Sequence, residues 1–352
     1  MAVAVTVGLA ALGTFDTTPD PNGIPAGSKA FMLALVIAVV VGFAAYAAVE
    51  WIQTRRLDSI ARQFDTRTIV LIPIAIAINI VLGQAVGTAL KLPVYLDSIG
   101  TILVGVLAGP IAGAATGLLS NLAWTFLLAG TPFGSPYAWP FAIVAIEIGL
   151  LAGLFGYAGV FRSRPSTPWP RLATGIVVGL VVIGALVWYG VVPFYRDLCA
   201  LRSTPLRLCF QFFVDGPVPV DPLFIAIGVG IAVVLVVAAV AVAVRLLRDR
   251  DLGLVFVLVA GVACGVVSAF VAAPIAALVF GGITGSGTDL LVFAFQYAGS
   301  DLQLAVLQQS LISDSIDKTA SYLVVFAILG ALSRRVAGRF PQGERALGTI
   351  EA

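Results

Sequence analysis

Long apolar runs, each bounded by charged or turn-forming residues, constrain this chain more than any other feature. They lie near residues 29–52, 69–90, 97–108, 111–130, 138–160, 172–195, 222–247, 252–280 and 316–335. A helix needs roughly 20 apolar residues to cross a bilayer, whereas transmembrane β-barrels show alternating segments of about ten. With only 11% charged residues, the runs predict an all-α polytopic transmembrane bundle of about nine spans.

Arginine-rich connections predict how the bundle is oriented. They carry 14 of the 20 basic residues and lie at residues 55–67, 162–171, 245–250 and 334–345. These are alternate connections, and the positive-inside rule places them in the cytoplasm, with the N-terminus outside and the C-terminus inside. The Gly109-Pro110 break could instead bend one long span over 97–130, but a single span there would disturb the alternation.

The runs and connections divide the chain into four parts. Residues 1–68 form an N-terminal segment with an extra transmembrane helix, and 69–195 form a membrane core. Residues 196–221 form an external loop, and 222–352 form C-terminal membrane helices that are a candidate divergent repeat of the core. Cys199 and Cys209 lie in the loop, where an oxidising exterior would join them as a disulfide; the alternative is two unpaired small residues.

Several kinds of chemistry are excluded by what the chain lacks. It has no histidine and three scattered cysteines, so we expect no metal site. No nucleophile and base pair is visible, so we expect neither an enzyme nor a bound cofactor. A net charge of +2 implies no nucleic-acid partner, because the basic residues are explained by membrane topology.

Small residues recur every four positions in two places before residue 120. The first set is Ala75, Asn79, Gly83 and Gly87, and the second is Gly105, Gly109, Gly113 and Gly117. A third stripe runs from Gly261 to Gly281. In lipid such stripes allow helix backbones to approach closely, so they predict tight helix contacts. The contacts are either within the chain or with a partner membrane subunit.

Polar and aromatic residues around the fourth and fifth runs predict a substrate-binding site. A carboxylate near mid-span is costly, so Glu147 either serves a ligand or ion or makes a structural hydrogen bond to a neighbouring helix. Asp97 either caps the helix that follows it or orders a loop over a substrate mouth. The remaining candidates, which would orient and stack a flat heterocycle, are Asn121, Trp124, Tyr137 and Trp139. The alternative for the aromatic residues is an interfacial belt.

Asp314 and Lys318 lie four residues apart near the start of the last run. This spacing puts them on one face of a helix and predicts a local ion pair near the outer interface.

Residues 69–160 resemble the substrate-binding S components of energy-coupling factor (ECF) transporters, in the riboflavin-type group. The resemblance rests on the Leu96–Thr101 sequence LDSIGT, on Gly109-Pro110 followed by Gly113 and Gly117, on Asn121, and on the Gly134–Trp139 turn. The alanine motif by which many S components meet their coupling subunit is not evident, because Ala75, Asn79, Gly83 and Gly87 stand where it is expected.

The resemblance implies a multi-pass protein of the bacterial plasma membrane that captures a small, vitamin-like, aromatic nutrient from outside. Its partners would be a transmembrane coupling subunit and two cytoplasmic ATPases, which fits the absence of a GxxxxGK[ST] motif here. Two alternatives stay open. One is a self-sufficient secondary transporter that uses Glu147 for ion coupling, and the other is a membrane ligand sensor.

Overall fold

The computed structural model describes residues 26–55, 57–84, 95–129, 131, 135, 138–186, 247–284, 286–297 and 299–348. Within these ranges the regular structure is helical and contains no strand, so the all-α prediction is confirmed for them. The helices are α1 (Ala26–Thr54), α2 (Asp58–Gln63), α3 (Thr66–Gly83), α4 (Ile99–Ala108), α5 (Pro110–Leu122), α6 (Ala142–Tyr157), α7 (Trp169–Leu186), α8 (Gly253–Phe280), α9 (Asp289–Tyr297), α10 (Leu302–Ala331), α11 (Arg334–Ala337) and α12 (Gly343–Leu347). A π-helical turn, Ala123–Leu127, extends α5, and a 3₁₀ turn, Trp139–Phe141, leads into α6.

Three helical segments in the described ranges are long and apolar enough to cross a membrane. They are Thr66–Gly83, Trp139–Tyr157 and Gly253–Phe280, and each matches a run predicted from the sequence. Large apolar side chains remain exposed along α1, α3 and α7. Apolar exposure on this scale suits contact with lipid rather than with water.

The helix that covers the last predicted run begins much earlier than the sequence suggested. The prediction started this helix near residue 316, but α10 begins at Leu302 and continues for 30 residues. The Gln, Ser and Asp residues at 303–315 lay outside the predicted run. They lie instead on a helix whose polar side chains are largely buried.

The break at Gly109-Pro110 separates two antiparallel helices, as the sequence predicted. In one continuous helix Gly105 and Gly113 would lie about 12 Å apart along the axis. A Cβ built on Gly113 would instead lie 2.7 Å from the Gly105 Cα, so α4 and α5 run side by side. The chain reverses at Gly109, whose φ of +126° is accessible to glycine and strained for other residues. The alternative of one bent span over 97–130 is therefore wrong.

The second predicted stripe forms the contact between this helix pair and α6. A Cβ on Gly105 would lie 2.8 Å from the Gly149 carbonyl oxygen, and one on Gly117 would lie 2.3 Å from that of Ala145. A Cβ on Gly149 would in turn lie 2.2 Å from the carbonyl carbon of Gly113. Tight packing over small residues is confirmed, and it occurs within the chain.

The first stripe is also filled by the chain itself. Ala75 is fully buried against Gly100, Asn79 is 1% exposed, and Gly83 faces the ring of Trp124. Gly87 lies outside the described residues. A buried face cannot receive another protein, so partner-subunit docking is wrong for the described members of both stripes, Ala75, Asn79, Gly83, Gly105, Gly109, Gly113 and Gly117.

The third stripe packs α8 against α10. A Cβ on Gly261 would lie 2.7 Å from the Thr319 Cα, and one on Gly265 would lie 2.4 Å from the Ser315 Cα. These close approaches fix α10 against α8, and so determine where the polar residues of α10 are placed.

The described helices belong to two compact units. The first comprises the described residues within 26–162, 257–296 and 300–348, and the second comprises those within 163–186, 247–256 and 297–299. In the second unit Asp251 Oδ1 accepts hydrogen bonds from the amides of Arg164 (2.6 Å) and Gly253 (2.8 Å). The predicted boundaries around 196–221, and with them Cys199 and Cys209, lie outside the described residues.

Basic segments of the first unit meet at one end of its helices. Arg67, at the start of α3, donates to the carbonyl of Arg339 (3.0 Å), and Arg162, just after α6, donates to that of Arg345 (2.9 Å). The backbone amide of Gln342 donates a hydrogen bond to the Leu107 carbonyl (2.8 Å), beside the Gly109 turn. The start of α3, the end of α4, the end of α6 and the C-terminal segment therefore share this end, called here the basic end.

Candidate functional site

A cavity of about 260 Å³ lies at the opposite end of the first unit. It is bordered by the last residue of α3, the residues leading into α4, the end of α5 and the start of α6. Because α3 runs from the basic end to the cavity and α4 and α6 run back, the helix directions put the two features at opposite ends. The C-terminal part of α8 and the first half of α10 complete the wall.

Most polar groups of the wall come from elements far apart in the chain. The lining includes Tyr95, Asp97, Ser98, Thr101, Ser120, Asn121, Trp124, Ser135, Phe141, Thr284, Ser286, Thr288, Asp289, Gln309, Ser310, Asp314 and Lys318, together with Gly83 and small or apolar residues of α6 and α8. The volume is near the lower limit of ordinary small-molecule sites, so the cavity suits a ligand of one or two rings.

Two aromatic rings form flat parts of the wall. Trp124 sits on the π-helical turn after α5 and is 7% exposed. A Cβ on Gly83 would lie 2.4 Å from the end of its indole ring, so glycine is needed there to seat the ring. Phe141, at the end of the 3₁₀ turn, stacks on Phe280 with ring centroids 5.7 Å apart. π-Helical turns occur often at functional sites because they redirect side chains out of the helical register.

Asn79 holds together the three helices below the cavity. Its Nδ2 donates to Thr101 Oγ1 (2.8 Å) and Ser120 Oγ (3.0 Å), and its Oδ1 accepts from the Gly100 amide (2.7 Å). The Gly100 amide belongs to the first turn of α4, whose amides need partners from outside the helix. Asn79, rather than Asp97, satisfies this amide, and the role of Asn79 is structural.

Lys318 is the cation at the centre of a buried charged cluster. Its Nζ pairs with Asp317 Oδ2, lies 3.6 Å from Asp97 Oδ1 and donates to Ser98 Oγ (3.2 Å). Two of its three donors are therefore used in hydrogen bonds, to Asp317 and Ser98, and Asp97 is held as an ion pair. The predicted local pair between Asp314 and Lys318 is wrong, because Asp317 and a distant loop residue, Asp97, take the ammonium.

Asp317 also orders the loop before α4, a role that the sequence analysis offered for Asp97. Its Oδ1 accepts hydrogen bonds from the amides of Tyr95 (3.0 Å) and Leu96 (2.6 Å). Leu96 has a φ of +52°, a left-handed conformation that a residue with a side chain adopts only when its surroundings enforce it. The fully buried Asp317 supplies that constraint.

Tyr95 joins this loop to the one before α9. Its hydroxyl shares hydrogen bonds with Thr288 Oγ1 (2.8 Å) and Ser286 Oγ (3.3 Å). Burial disfavours the phenolate and raises the pKa of Tyr95 to about 12. The hydroxyl therefore stays protonated at neutral pH and holds the two loops on one side of the cavity.

Two polar atoms in the wall lack a hydrogen-bond partner among the described residues. They are Trp124 Nε1, a donor, and Asp314 Oδ2, an acceptor, and both side chains are more than nine-tenths buried. An unpaired buried polar group costs about 1–3 kcal/mol. Such a cost is tolerated where a ligand or bound water supplies the missing partner.

Three of the six predicted binding residues lie in the cavity wall, namely Asp97, Asn121 and Trp124. Asn121 Nδ2 makes one long contact, 3.5 Å, to the Phe141 carbonyl, which leaves it able to reorient toward a ligand. Tyr137 lies outside the described residues.

The other two predicted binding residues are placed away from the wall. Trp139 is 40% exposed and Glu147 lies between α6 and α8, where its Oε2 accepts a hydrogen bond from Ser268 Oγ (2.8 Å). The wall residues of α6 are its neighbours Val144, Ala145 and Ile148. Glu147 therefore makes the hydrogen bond to a neighbouring helix that the structural alternative predicted, while its Oε1 is buried without a partner among the described residues.

Residues that sequence reasoning missed lie mainly on α10 and in the loop before α9. Gln309, Ser310, Asp314 and Lys318 all line the cavity. Ser310, Asp314 and Lys318 recur every four positions in a segment that is otherwise mixed. That spacing, combined with the apolar helix that follows, was the available signal of a buried polar face.

No group of three or more His, Cys, Asp or Glu side chains in the described ranges is arranged to hold a metal ion. Comparison with protein-family models, with curated proteins and with solved structures finds no match to this chain. Within the described residues, the fold is helical with apolar, membrane-length helices, and its cavity is partly open and of a size that suits a small molecule.

Proposed function

We propose that the chain is the substrate-binding membrane subunit of an ECF-type transporter and binds a small, aromatic, vitamin-like nutrient in this cavity. One observation carries the proposal: the residues that line one 260 Å³ space include a buried tryptophan and a buried aspartate, each with a polar atom that has no partner among the described residues. A flat ligand with a few polar groups would stack on Trp124 and be oriented by the polar side chains of the wall.

The proposed orientation puts the cavity on the outer side of a bacterial plasma membrane. The chain would cross it about nine times, with the N-terminus outside and the C-terminus in the cytoplasm. The basic end supports this orientation, because Arg67, Arg162, Arg339 and Arg345 cluster there and the cavity lies at the other end of the same helices. The positive-inside rule puts arginine on the cytoplasmic side.

Import would depend on partners. The sequence contains no GxxxxGK[ST] motif, so a transmembrane coupling subunit and two ATPase subunits would supply ATP hydrolysis. The resemblance of residues 69–160 to S components supports this assignment of roles.

A binding titration tests the site. The protein, purified in detergent, is titrated with a panel of vitamins by calorimetry, and one member is expected to saturate. Trp124→Ala should weaken its binding by roughly 10- to 100-fold, since stacking on an aromatic side chain contributes about 1–3 kcal/mol. Trp139→Ala is the matched control, because Trp139 does not line the cavity. Failure of every vitamin to saturate a folded protein would contradict the proposal.

Topology can be tested independently with single cysteines. With the native cysteines replaced by serine, Ile283→Cys, near the cavity, and Val336→Cys, near the basic end, introduce exposed thiols. An impermeant maleimide added to intact cells should label the first and not the second. The reverse pattern would contradict the outward-facing cavity.

Transport in liposomes separates the proposal from its alternatives. Uptake that requires ATP and the coupling and ATPase subunits is expected. Uptake driven by a proton gradient without those subunits would contradict the proposal and favour a secondary transporter. Binding without uptake in the full complex would favour a sensor.

A further inference from the structure

The charged side chains around the cavity include more carboxylates than cations, and the excess lies near Lys318. Asp97 and Asp317 pair with the ammonium of Lys318, and Asp314 lies one helical turn before it, so the four groups carry a formal charge of −2 when every carboxyl is ionised. Charges held away from water are costly unless a partner of opposite sign is present. An additional positive charge would therefore stabilise the cluster.

Lys318 forms no hydrogen bond or close ion pair with Asp314 within the described residues. Its ammonium donates hydrogen bonds to Asp317 and Ser98 and forms an ion pair with Asp97. Asp317 is satisfied as well, because its second oxygen accepts two backbone amides. These contacts make Asp317 and Lys318 a closed internal pair that holds the loop at residues 95–98.

Asp314 is the carboxylate that remains open. The residue is 7% exposed and lines the cavity, and one carboxylate oxygen, Oδ2, is buried without a partner within the described part of the chain. Trp124, in the same wall, offers an aromatic face, and such faces attract cations when water is excluded. The carboxylate and the indole favour the same kind of ligand group.

We propose that the ligand of this cavity is a cation, a flat heteroaromatic molecule whose positively charged nitrogen is received by Asp314 while its ring lies against Trp124. This inference rests on the proposed function and adds the charge class of the substrate. Lys318 and Asp317 act as positioning residues, which hold the loop and leave Asp314 free for the ligand.

The test uses one bicyclic scaffold in three charge states. The probes are 1-methylquinolinium, 1-methyl-2-quinolone and quinoline-2-carboxylate, which are cationic, neutral and anionic at neutral pH. The full chain in detergent is titrated with each by calorimetry. The cation is expected to bind at least about tenfold more tightly than the neutral probe, and the anion more weakly than both.

Asp314→Asn keeps the shape of the side chain and removes its charge. Loss of one partner of a buried charge pair costs several factors of ten in affinity, so the cation should bind at least about thirtyfold more weakly. The neutral probe should change by less than about threefold. Asp65→Asn is the control: it removes a charge from the N-cap of α3 at the basic end, where Asn caps equally well.

The outcomes separate this inference from the proposed function. If the neutral or anionic probe binds the wild-type protein as tightly as the cation does, the inference is overturned, even where Asp314→Asn fails to fold. Equal loss of cation and neutral binding in Asp314→Asn also overturns it, because a structural role would give that result. Any vitamin that binds saturably is measured with the same variants, and the effect of each variant on its affinity must match that on the probe of the same charge. If no vitamin and no probe saturates, the proposed function itself fails.

Discussion

Replacing Gly149 by alanine should destabilise the protein, although alanine is the better helix former. Gly149 lies in α6, and a Cβ there would be 2.2 Å from the carbonyl carbon of Gly113 and 2.5 Å from the Ala114 amide nitrogen. Carbon atoms in contact stay about 3.5–4.0 Å apart, so α5 and α6 would have to separate by more than about 1 Å. The obstructing atoms belong to the backbone and cannot rotate away.

The size of the effect follows from two opposed contributions. Overpacking of this kind costs about 1–3 kcal/mol or more, and alanine regains up to about 1 kcal/mol of helix propensity. Because Gly149 meets only backbone atoms, we expect the upper part of that range and a net loss of about 2 kcal/mol. Gly330→Ala is the matched control, since Gly330 lies in α10 and a Cβ there meets nothing within 4 Å. It should be neutral or gain up to about 1 kcal/mol.

Equilibrium unfolding in mixed micelles, followed by circular dichroism, measures both variants. The free energies of unfolding should differ by about 2–3 kcal/mol in favour of Gly330→Ala. Equal stabilities, or a more stable Gly149→Ala, would refute the packing of α5 against α6 described here.

Three further variants test other contacts of the first unit. Asn79→Leu leaves the amide of Gly100 and two hydroxyls without their partner, so it should lower the free energy of unfolding by about 2–4 kcal/mol; a loss below 1 kcal/mol would count against the structural role. Lys318→Met leaves the surrounding carboxylates uncompensated and should cost about 3 kcal/mol or more in the same assay, so wild-type stability would contradict the buried cluster. Gln342→Ala removes the side-chain donor to the carbonyls of Val106 (3.3 Å) and Gly153 (2.8 Å). Limited proteolysis of 333–348 should therefore be faster in this variant than in the exposed control Gln303→Ala. Equal rates would show that Gln342 does not hold the segment.

The sequence predicted the parts of the fold that depend on local pattern. The reversal at Gly109-Pro110 follows from a glycine with positive φ and a proline that begins the next helix. The tight contact of Gly105 with α6 follows from four-residue spacing. Spacing shows that a face is small, but it does not show what covers that face, so the partner-docking interpretation of the same residues was wrong.

The cavity was only half predictable because half of its wall comes from distant segments. Asp97 and Lys318 are 221 positions apart, and no spacing rule connects them. The four-residue spacing of Asp314 and Lys318 suggested a local pair, but Asp317 and Asp97 offered the ammonium a better buried geometry. Tertiary contacts of this kind decide which carboxylate is left open, and sequence alone does not contain them.

A structure of the protein bound to the ligand found by titration tests the central claim most directly. We expect a flat ligand against the ring of Trp124, with its positively charged nitrogen in contact with the Asp314 carboxylate and the Lys318–Asp317 pair intact. A ligand located elsewhere in the chain, or an Asp314 side chain engaged by Lys318 while the ligand is bound, would contradict it.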